Sequence, residues 1–260
     1  MSEVAALLVR HVFLRAIIRL MTYISSEEMK KGGIAYDIID KHVKNRVTWA
    51  VGTGVLGDAL KKYKPNGGHT VLDIGCSGGT TLKFLKPHFQ ELYGVDIVDG
   101  LSDEMRFQTK FSPLDLNFEK LPFPDESFDM ATCFQVIEHL ENPFLVMREA
   151  YRVLKPGGIF MFSVPNPMNL TFRLKFLLTG NMPPWTEINH HLLFLTNAVF
   201  KKTYLSKFKL LEAVYQRGAI PLWGRLRAIF GKRLIKKHAM VLPRSKLFGR
   251  CVCYIVQRSV

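Results

Sequence analysis

Cysteine is scarce in this chain of 260 residues. The four cysteines, Cys76, Cys133, Cys251 and Cys253, form no CxxC pair and join no Cys/His set with zinc spacing. That excludes a disulfide-stapled scaffold and a zinc module, and it suits a reducing compartment, so a cytoplasmic location is expected. No apolar run of about 18 residues is free of charge, so no transmembrane helix is expected. The apolar start, Leu7 to Ile24, is interrupted by Arg10, Arg15 and Arg19 and lacks a small-residue cleavage site, unlike a signal peptide. Internal repeats and low-complexity tracts are absent too. With 48% hydrophobic residues, the chain is rich enough for a folded core and too apolar for disorder.

Acidic residues are missing from one region in particular. The net charge is +14. Residues 36–200 hold 16 basic and 18 acidic side chains, whereas residues 201–250 hold 14 basic and one acidic, Glu212. An excess this local points to an anionic partner for one segment.

What is present is an alternating rhythm. Val71–Ile74, Glu91–Ile97, Phe128–Phe134 and Ile159–Val164 read as strands, with helices expected from Thr80 to about Pro87 and from about Asn142 to Leu154. "KPGG" at 155–158 is expected to break the second helix. Residues 168–200 read as irregular, 201–212 as a helix feeding a strand, and Arg250–Gln257 as a final strand. Strand, helix, strand at this spacing predicts an α/β fold with a parallel sheet.

The stretch "VLDIGCSGGTTL" (71–82) places an acid and then small residues at a strand tip. Ligands of open parallel sheets sit beyond the carboxyl ends of the strands. Asp73 would repel a pyrophosphate and attract a cation, and GxGxxG spacing is absent. A ligand with an ammonium group, a ribose and an adenine but no phosphate fits, and S-adenosyl-L-methionine is one. A strand-to-helix turn with no ligand is the alternative for this loop alone. Asp96, ending the second strand in "YGVDIVDG", stands where an acid would meet ribose hydroxyls.

With these motifs in order, the sequence resembles the class I S-adenosylmethionine-dependent methyltransferases, in particular the small-molecule, type 11 group related to ubiquinone biosynthesis. "VLDIGCSGG" resembles the first motif, with Ser77 where glycine is commoner. "GVDI" resembles the second, and "DLNFEKLPFPDESFDMATCFQVIEHL" the third and fourth. The resemblance covers about residues 68–212 and the last strand. It implies a Rossmann-like, mostly parallel seven-stranded sheet with helices on both faces. It implies cofactor contacts from Asp73, Gly75, Ser77, Gly79, Asp96, Ile97, Asp115, Leu116 and Phe134. Asp96 would grip the ribose, Ile97 and Leu116 would flank the adenine, and Asp115 would lie near its amino group.

On the acceptor side, Glu138 and His139 follow the fourth strand at the mouth of the site and are the catalytic candidates, with a base needed for an oxygen acceptor. Capping or anchoring of the next segment is their structural alternative. "HHLLFLT" (190–196) resembles a substrate-side segment, which makes His191 a substrate contact, with His190 beside it. Asn166, in "SVPNP", is a second substrate candidate. Some relatives carry Glu where this chain has Gln135, completing an ExxEH metal set. One missing carboxylate weakens a magnesium site, so no required metal is expected. The "NMPPW" at 181–185 follows the fifth strand and lacks the spacing of a nucleic-acid amino-methyltransferase tetrad.

The expected layout is one methyltransferase domain over 1–260, with an N-terminal helical extension (1–35), a cofactor-binding core (36–200) and basic C-terminal helices with the last strand (201–260). Two stretches outside the resemblance, near the start and at 218–248, mix large apolar residues with Arg and Lys. Such helices lie on anionic membranes or simply cover a sheet. A small or lipid-linked acceptor and a peripheral membrane contact through charges such as Lys232, Arg233, Lys236 and Lys237 are therefore expected. Nucleic-acid binding is not, because no recognition motif accompanies the charge. The alternative function is an inactive methyltransferase fold that docks an anionic partner through its basic segment.

Overall fold

The structure is a computed structural model and describes residues 49–185, 191–194, 197–219 and 241–259. The expected N-terminal extension and the four lysines and arginines at 232–237 lie outside the described residues, as does His190.

Seven strands form one sheet. They are β1 (Gly68–Ile74), β2 (Phe89–Asp96), β3 (Thr109–Pro113), β4 (Phe128–Phe134), β5 (Leu154–Pro165), β6 (Phe208–Tyr215) and β9 (Cys251–Arg258). A separate two-stranded sheet pairs β7 (Arg217–Ala219) with β8 (Val241–Arg244). The large sheet runs β3-β2-β1-β4-β5-β9-β6. Neighbours from β3 through β5 are parallel, and β9 alone runs against both β5 and β6. The order reverses between β1 and β4, and this topological switch places a crevice at the tips of those two strands.

The described helices are α1 (Trp49–Gly52), α2 (Val55–Tyr63), α3 (Thr80–Leu85), α4 (Asp103–Arg106), α5 (Pro143–Val153), α6 (Leu170–Thr179) and α7 (Asn197–Thr203). None is long and apolar enough to cross a membrane. Strand residues alternate between two apolar clusters, because side chains on a strand point alternately to opposite faces. Leu72, Ile74, Ala131, Cys133, Phe160 and Phe162 meet α5 and α7 on one face. Val71, Met130, Ile159 and Met161 meet α2 and α3 on the other. Helices thus cover both faces, and the sheet is buried as parallel sheets require. All four cysteines are free thiols.

Several expectations about local structure are corrected. "KPGG" lies inside β5, not ahead of it. Gly157 takes φ +76°, and the pairing with β4 shifts register between Phe128 and Met130. The stretch read as irregular holds α6, whose N-cap Asn169 accepts hydrogen bonds from the Thr171 and Phe172 amides. β3 was not expected. Its sequence, TKFSP, carries Lys, Ser and Pro at the sheet edge and shows no apolar run. The expected helix feeding a strand over 201–212 is the end of α7 and the start of β6, and the expected final strand is β9; within 218–248 the described residues take part in the β7–β8 pair and the turn after it.

Candidate active site

Asp73 ends β1 beside β4, register-paired with Thr132. Its carboxylate is buried, and Oδ1 accepts a 2.6 Å hydrogen bond from the Thr132 hydroxyl. Burial pushes the Asp73 carboxyl up to about 7; the Thr132 bond opposes that rise and the negative Asp96 adds to it. A cation placed there would hold the group ionised. Thr132 went unflagged in the sequence because a lone threonine in an apolar strand carries no motif.

Asp96 ends β2 and is fixed by the backbone. Its Oδ2 accepts from the Ser77 amide at 2.9 Å and its Oδ1 from the Ile97 amide at 2.7 Å. Burial raises its pKa against these amide bonds. Ile97 is exposed beside it. The Leu114 amide donates to the Asp96 carbonyl, which brings the segment after β3 alongside. That segment carries Asp115, whose Oδ1 accepts from the Asn117 amide, and the buried Leu116. Phe134, at the tip of β4, is buried in the cluster under α2 and α3. The cofactor candidates therefore gather at the carboxyl tips of β1, β2, β3 and β4.

The loop between β1 and α3 is shaped by its backbone. Gly75 has φ +75°, and a Cβ there would stand 2.3 Å from Val136 Cγ2. Gly79 has φ +78°, and a Cβ would meet Leu101 Cδ2 at 2.8 Å. Ser77 takes φ +47° and Gln135 φ +57°, so two non-glycine residues occupy the left-handed region at adjoining strand tips. Such strain concentrates at functional sites. The Gly75–Val136 approach also joins this loop to the one that carries Glu138.

Glu138 and His139 lie in a single 3-10 turn, Ile137–His139, after β4. Glu138 is buried with no other residue hydrogen-bonded to either carboxylate oxygen, and burial pushes it up to about 8 against the pull of its own backbone amide. It lines an open pocket together with Trp185, Leu193, Phe200, Tyr204 and Tyr254. The Tyr204 hydroxyl is likewise buried without a partner, and burial raises its pKa. The Leu192 amide donates to the Glu138 carbonyl at 2.8 Å and draws the 191–194 segment in. His191 then sits with its ring centroid 4.7 Å from that of the exposed His139. Burial lowers His191 to about 4, the nearby His139 adds to this, and a backbone hydrogen bond at Pro184 opposes it. Its Nδ1 is buried without a partner.

Glu138, His139 and His191 place their ligand atoms within 4.8 Å of one another. One carboxylate and two imidazoles suit a first-row transition ion better than magnesium. The donor chemistry therefore fits a metal even though Gln135 replaces the carboxylate.

Asn166, expected as a substrate contact, is not among the residues that line the pocket. Its Nδ2 donates to the Lys246 and Gly249 carbonyls at 2.8 and 2.7 Å, and its Oδ1 accepts from the Met168 amide. It fastens the end of β5 to the turn before β9, a positioning role shared by Asn169. Trp185, from the motif set aside as a nucleic-acid signal, lines the pocket and donates Nε1–H to the Leu193 carbonyl at 2.7 Å. Phe200 and Tyr204 stand at i and i+4 at the end of α7, with the Tyr204 amide donating to the Phe200 carbonyl, and Tyr254 joins them from β9, 50 residues onward.

Comparison with known proteins bears on the domain and the fold. The family model described as "Methyltransferase domain" matches residues 72–162. A ubiquinone biosynthesis O-methyltransferase of Coxiella burnetii is 32% identical over 104 residues, 38% of this chain and 44% of that protein. The bifunctional biotin biosynthesis protein BioHC of Teredinibacter turnerae is 36% identical over 119 residues, 40% of this chain and 20% of that one. The aligned part thus spans less than half of each curated relative. A SAM-dependent methyltransferase structure from Archaeoglobus fulgidus superposes with a TM-score of 0.54 at 18% identity, covering 86% of this chain and all of that one. A cyclase shares the fold as well, with a TM-score of 0.51 at 19% identity, over 83% of this chain and 85% of that one. The fold alone therefore does not set the reaction.

Proposed function

From a chain that carries a type 11, class I S-adenosylmethionine-dependent methyltransferase domain, we propose an enzyme that methylates an oxygen of a small or lipid-linked acceptor. S-adenosyl-L-methionine, the cofactor of this family, supplies when bound an electrophilic methyl group on a sulfonium. Asp73 would face its ammonium group and Asp96 its ribose, with Ile97, Leu116, Asp115 and Phe134 about the adenine and Gly75, Ser77 and Gly79 shaping the loop.

The observation that carries the acceptor half is Glu138, buried and unpartnered in an apolar, aromatic pocket. Such a pocket takes a hydrophobic ring or chain and excludes water from it. A carboxylate with a pKa of about 8 is matched to removing a hydroxyl proton near neutral pH. In this reading Glu138 accepts the proton as the acceptor oxygen attacks the methyl group. His139, exposed at the rim, passes that proton to solvent, and His191 positions the acceptor. A peripheral membrane contact would bring a lipid-linked acceptor to the pocket.

Titration calorimetry with S-adenosylmethionine and S-adenosylhomocysteine tests the cofactor seat, and methyl transfer from labelled cofactor into a lipid extract tests turnover. Binding without any transfer would favour an inactive docking protein. The metal reading rests on the clustered donors. Glu138, His139 and His191 would hold the ion, which would lower the pKa of an acceptor hydroxyl. Turnover unchanged after dialysis against a chelator supports Glu138 as base. Loss restored by zinc or manganese would make these residues ligands.

A further inference from the structure

Helix α6 is well made yet contributes little to the core. Asn169 caps its start, and Gly180, at φ +69°, closes its end with an amide bond to the Phe176 carbonyl. Among its residues only Phe172 is buried. Leu170, Leu174, Leu177 and Leu178 stand at i, i+4, i+7 and i+8, and are 37%, 50%, 79% and 64% exposed. That spacing makes one stripe, and at about 100° per residue it lies roughly opposite Phe172. The stripe therefore points away from the body of the protein. Leu247 is exposed on the adjoining turn, whose carbonyl accepts from the Leu170 amide at 2.7 Å.

Charge surrounds this stripe with one sign. Arg173 falls on one flank of it and Lys175 on the other, and Lys246 is exposed on the neighbouring turn, while Arg250 of that turn lies over the Phe172 ring, on the opposite side of α6. From Asn166 to Val260 the sequence has only two acids, Glu187 and Glu212. Exposed leucines between flanking cations match a bilayer interface, where apolar residues enter the acyl boundary and basic stems reach back to anionic headgroups. A partner protein would leave three cations to be paired individually, whereas an anionic lipid surface pairs them in any orientation. Pro165 and Pro167, just ahead of α6, line the pocket that holds Glu138.

We infer that the outer face of α6, with the turn at Ser245–Arg250, is the surface by which this protein docks on an anionic lipid bilayer, with the acceptor pocket beside the membrane. The inference rests on the lipid-linked acceptor reading but adds the surface and its orientation. It centres docking on α6, which lies outside the two stretches that composition alone singles out, and only 245–248 of the turn overlap the second of them.

The test uses the full chain and vesicles of phosphatidylcholine with or without phosphatidylglycerol. Wild type is expected to sediment with the anionic vesicles and much less with neutral ones. The triple variant Leu174→Ser, Leu177→Ser, Leu178→Ser should lose at least tenfold in partitioning. Arg173→Gln with Lys175→Gln should lose severalfold and become less sensitive to salt. These residues are outward-facing, so both variants should keep the wild-type affinity for S-adenosylmethionine. Wild-type sedimentation by the triple variant would overturn the inference, and so would a wild type that ignores anionic vesicles. A wild-type dimer that the triple variant converts to monomer would overturn it in favour of a second copy. Vesicle binding without cofactor binding would keep this surface and remove the methyltransferase reading.

Discussion

At the tips of β1 and β2 the carboxylates are already held. Asp96 has an amide on each oxygen, and Asp73 has the Thr132 hydroxyl. Beyond the tip of β4 the pattern changes: both oxygens of Glu138, the Tyr204 hydroxyl and Nδ1 of His191 are buried with no partner. Each buried polar group left unpaired costs about 1–3 kcal/mol. The first region is finished by its own backbone amides and the Thr132 hydroxyl, so its form is set before any ligand enters. The second keeps its polar atoms unsatisfied, which is the condition of a site completed by what enters it.

The sharpest way to break this contrast is Glu138→Gln. The amide keeps the shape of the side chain and removes the base. Turnover should fall by roughly 10²–10⁴-fold while cofactor affinity, set at the other tips, stays within about twofold. In wild type, kcat/KM should rise with pH and level off above about 8, where Glu138 is ionised. A variant that retains the wild-type pH profile would move the base to His139.

The same contrast explains what could be read in advance. β1 and β4 carry apolar runs, β1 and β2 close on an acid, and small residues follow β1, so the cofactor half is local in sequence. β3 was missed because an edge strand of five residues with Lys, Ser and Pro has no such run. α6 was missed because its leucines face outward and form no core-facing pattern with their neighbours. The pocket walls come from separate elements, Trp185 from the loop after α6, Phe200 and Tyr204 from the end of α7 and Tyr254 from β9, and no short motif records their meeting. Asn166 stood in a suggestive motif, yet its hydrogen bonds run to carbonyls about 80 residues onward, which is information only the fold supplies.

Asp96→Ala gives the next largest effect. It removes the acceptor of two amide bonds and the group assigned to the ribose. S-adenosylmethionine affinity should weaken by about 1–3 kcal/mol, or roughly 5- to 150-fold, in calorimetry. Unchanged affinity would remove Asp96 from the cofactor seat and leave it as a fastener of the Ser77 loop.

Asp73 sharpens the comparison through pH. Its carboxyl titrates at about 7 without ligand, and a bound ammonium needs it ionised. Cofactor affinity should therefore fall up to tenfold per pH unit below about 7, and Asp73→Asn should bind weakly with a flat profile. Stability of the ligand-free protein runs the other way. The folded-state pKa lies above the unfolded 3.8, so this contribution is full below 3.8 and is lost as pH rises through about 7. Glu138 extends the loss from 4.5 to about 8. The ligand-free Tm should drop between about pH 5 and pH 8, with saturating cofactor restoring the share due to Asp73. A flat Tm in both conditions would mean that neither carboxyl is as dry as its burial indicates.

The smallest effect is expected at Ser77, where the loop departs from the commoner glycine. Its φ of +47° costs a side-chain-bearing residue about 1–2 kcal/mol, which glycine would avoid. Glycine also gives the unfolded chain more freedom, worth about 0.4–1 kcal/mol in the opposite direction. The two nearly cancel, so Ser77→Gly should change stability by no more than about 1 kcal/mol. The amide that Ser77 donates to Asp96 survives the substitution, because it belongs to the backbone. Cofactor affinity should then stay within about twofold if this half of the site is built by main chain, as the contrast with Glu138 requires. A tenfold loss in calorimetry would place the Ser77 hydroxyl on the cofactor and show that side chains, too, complete the β1 tip.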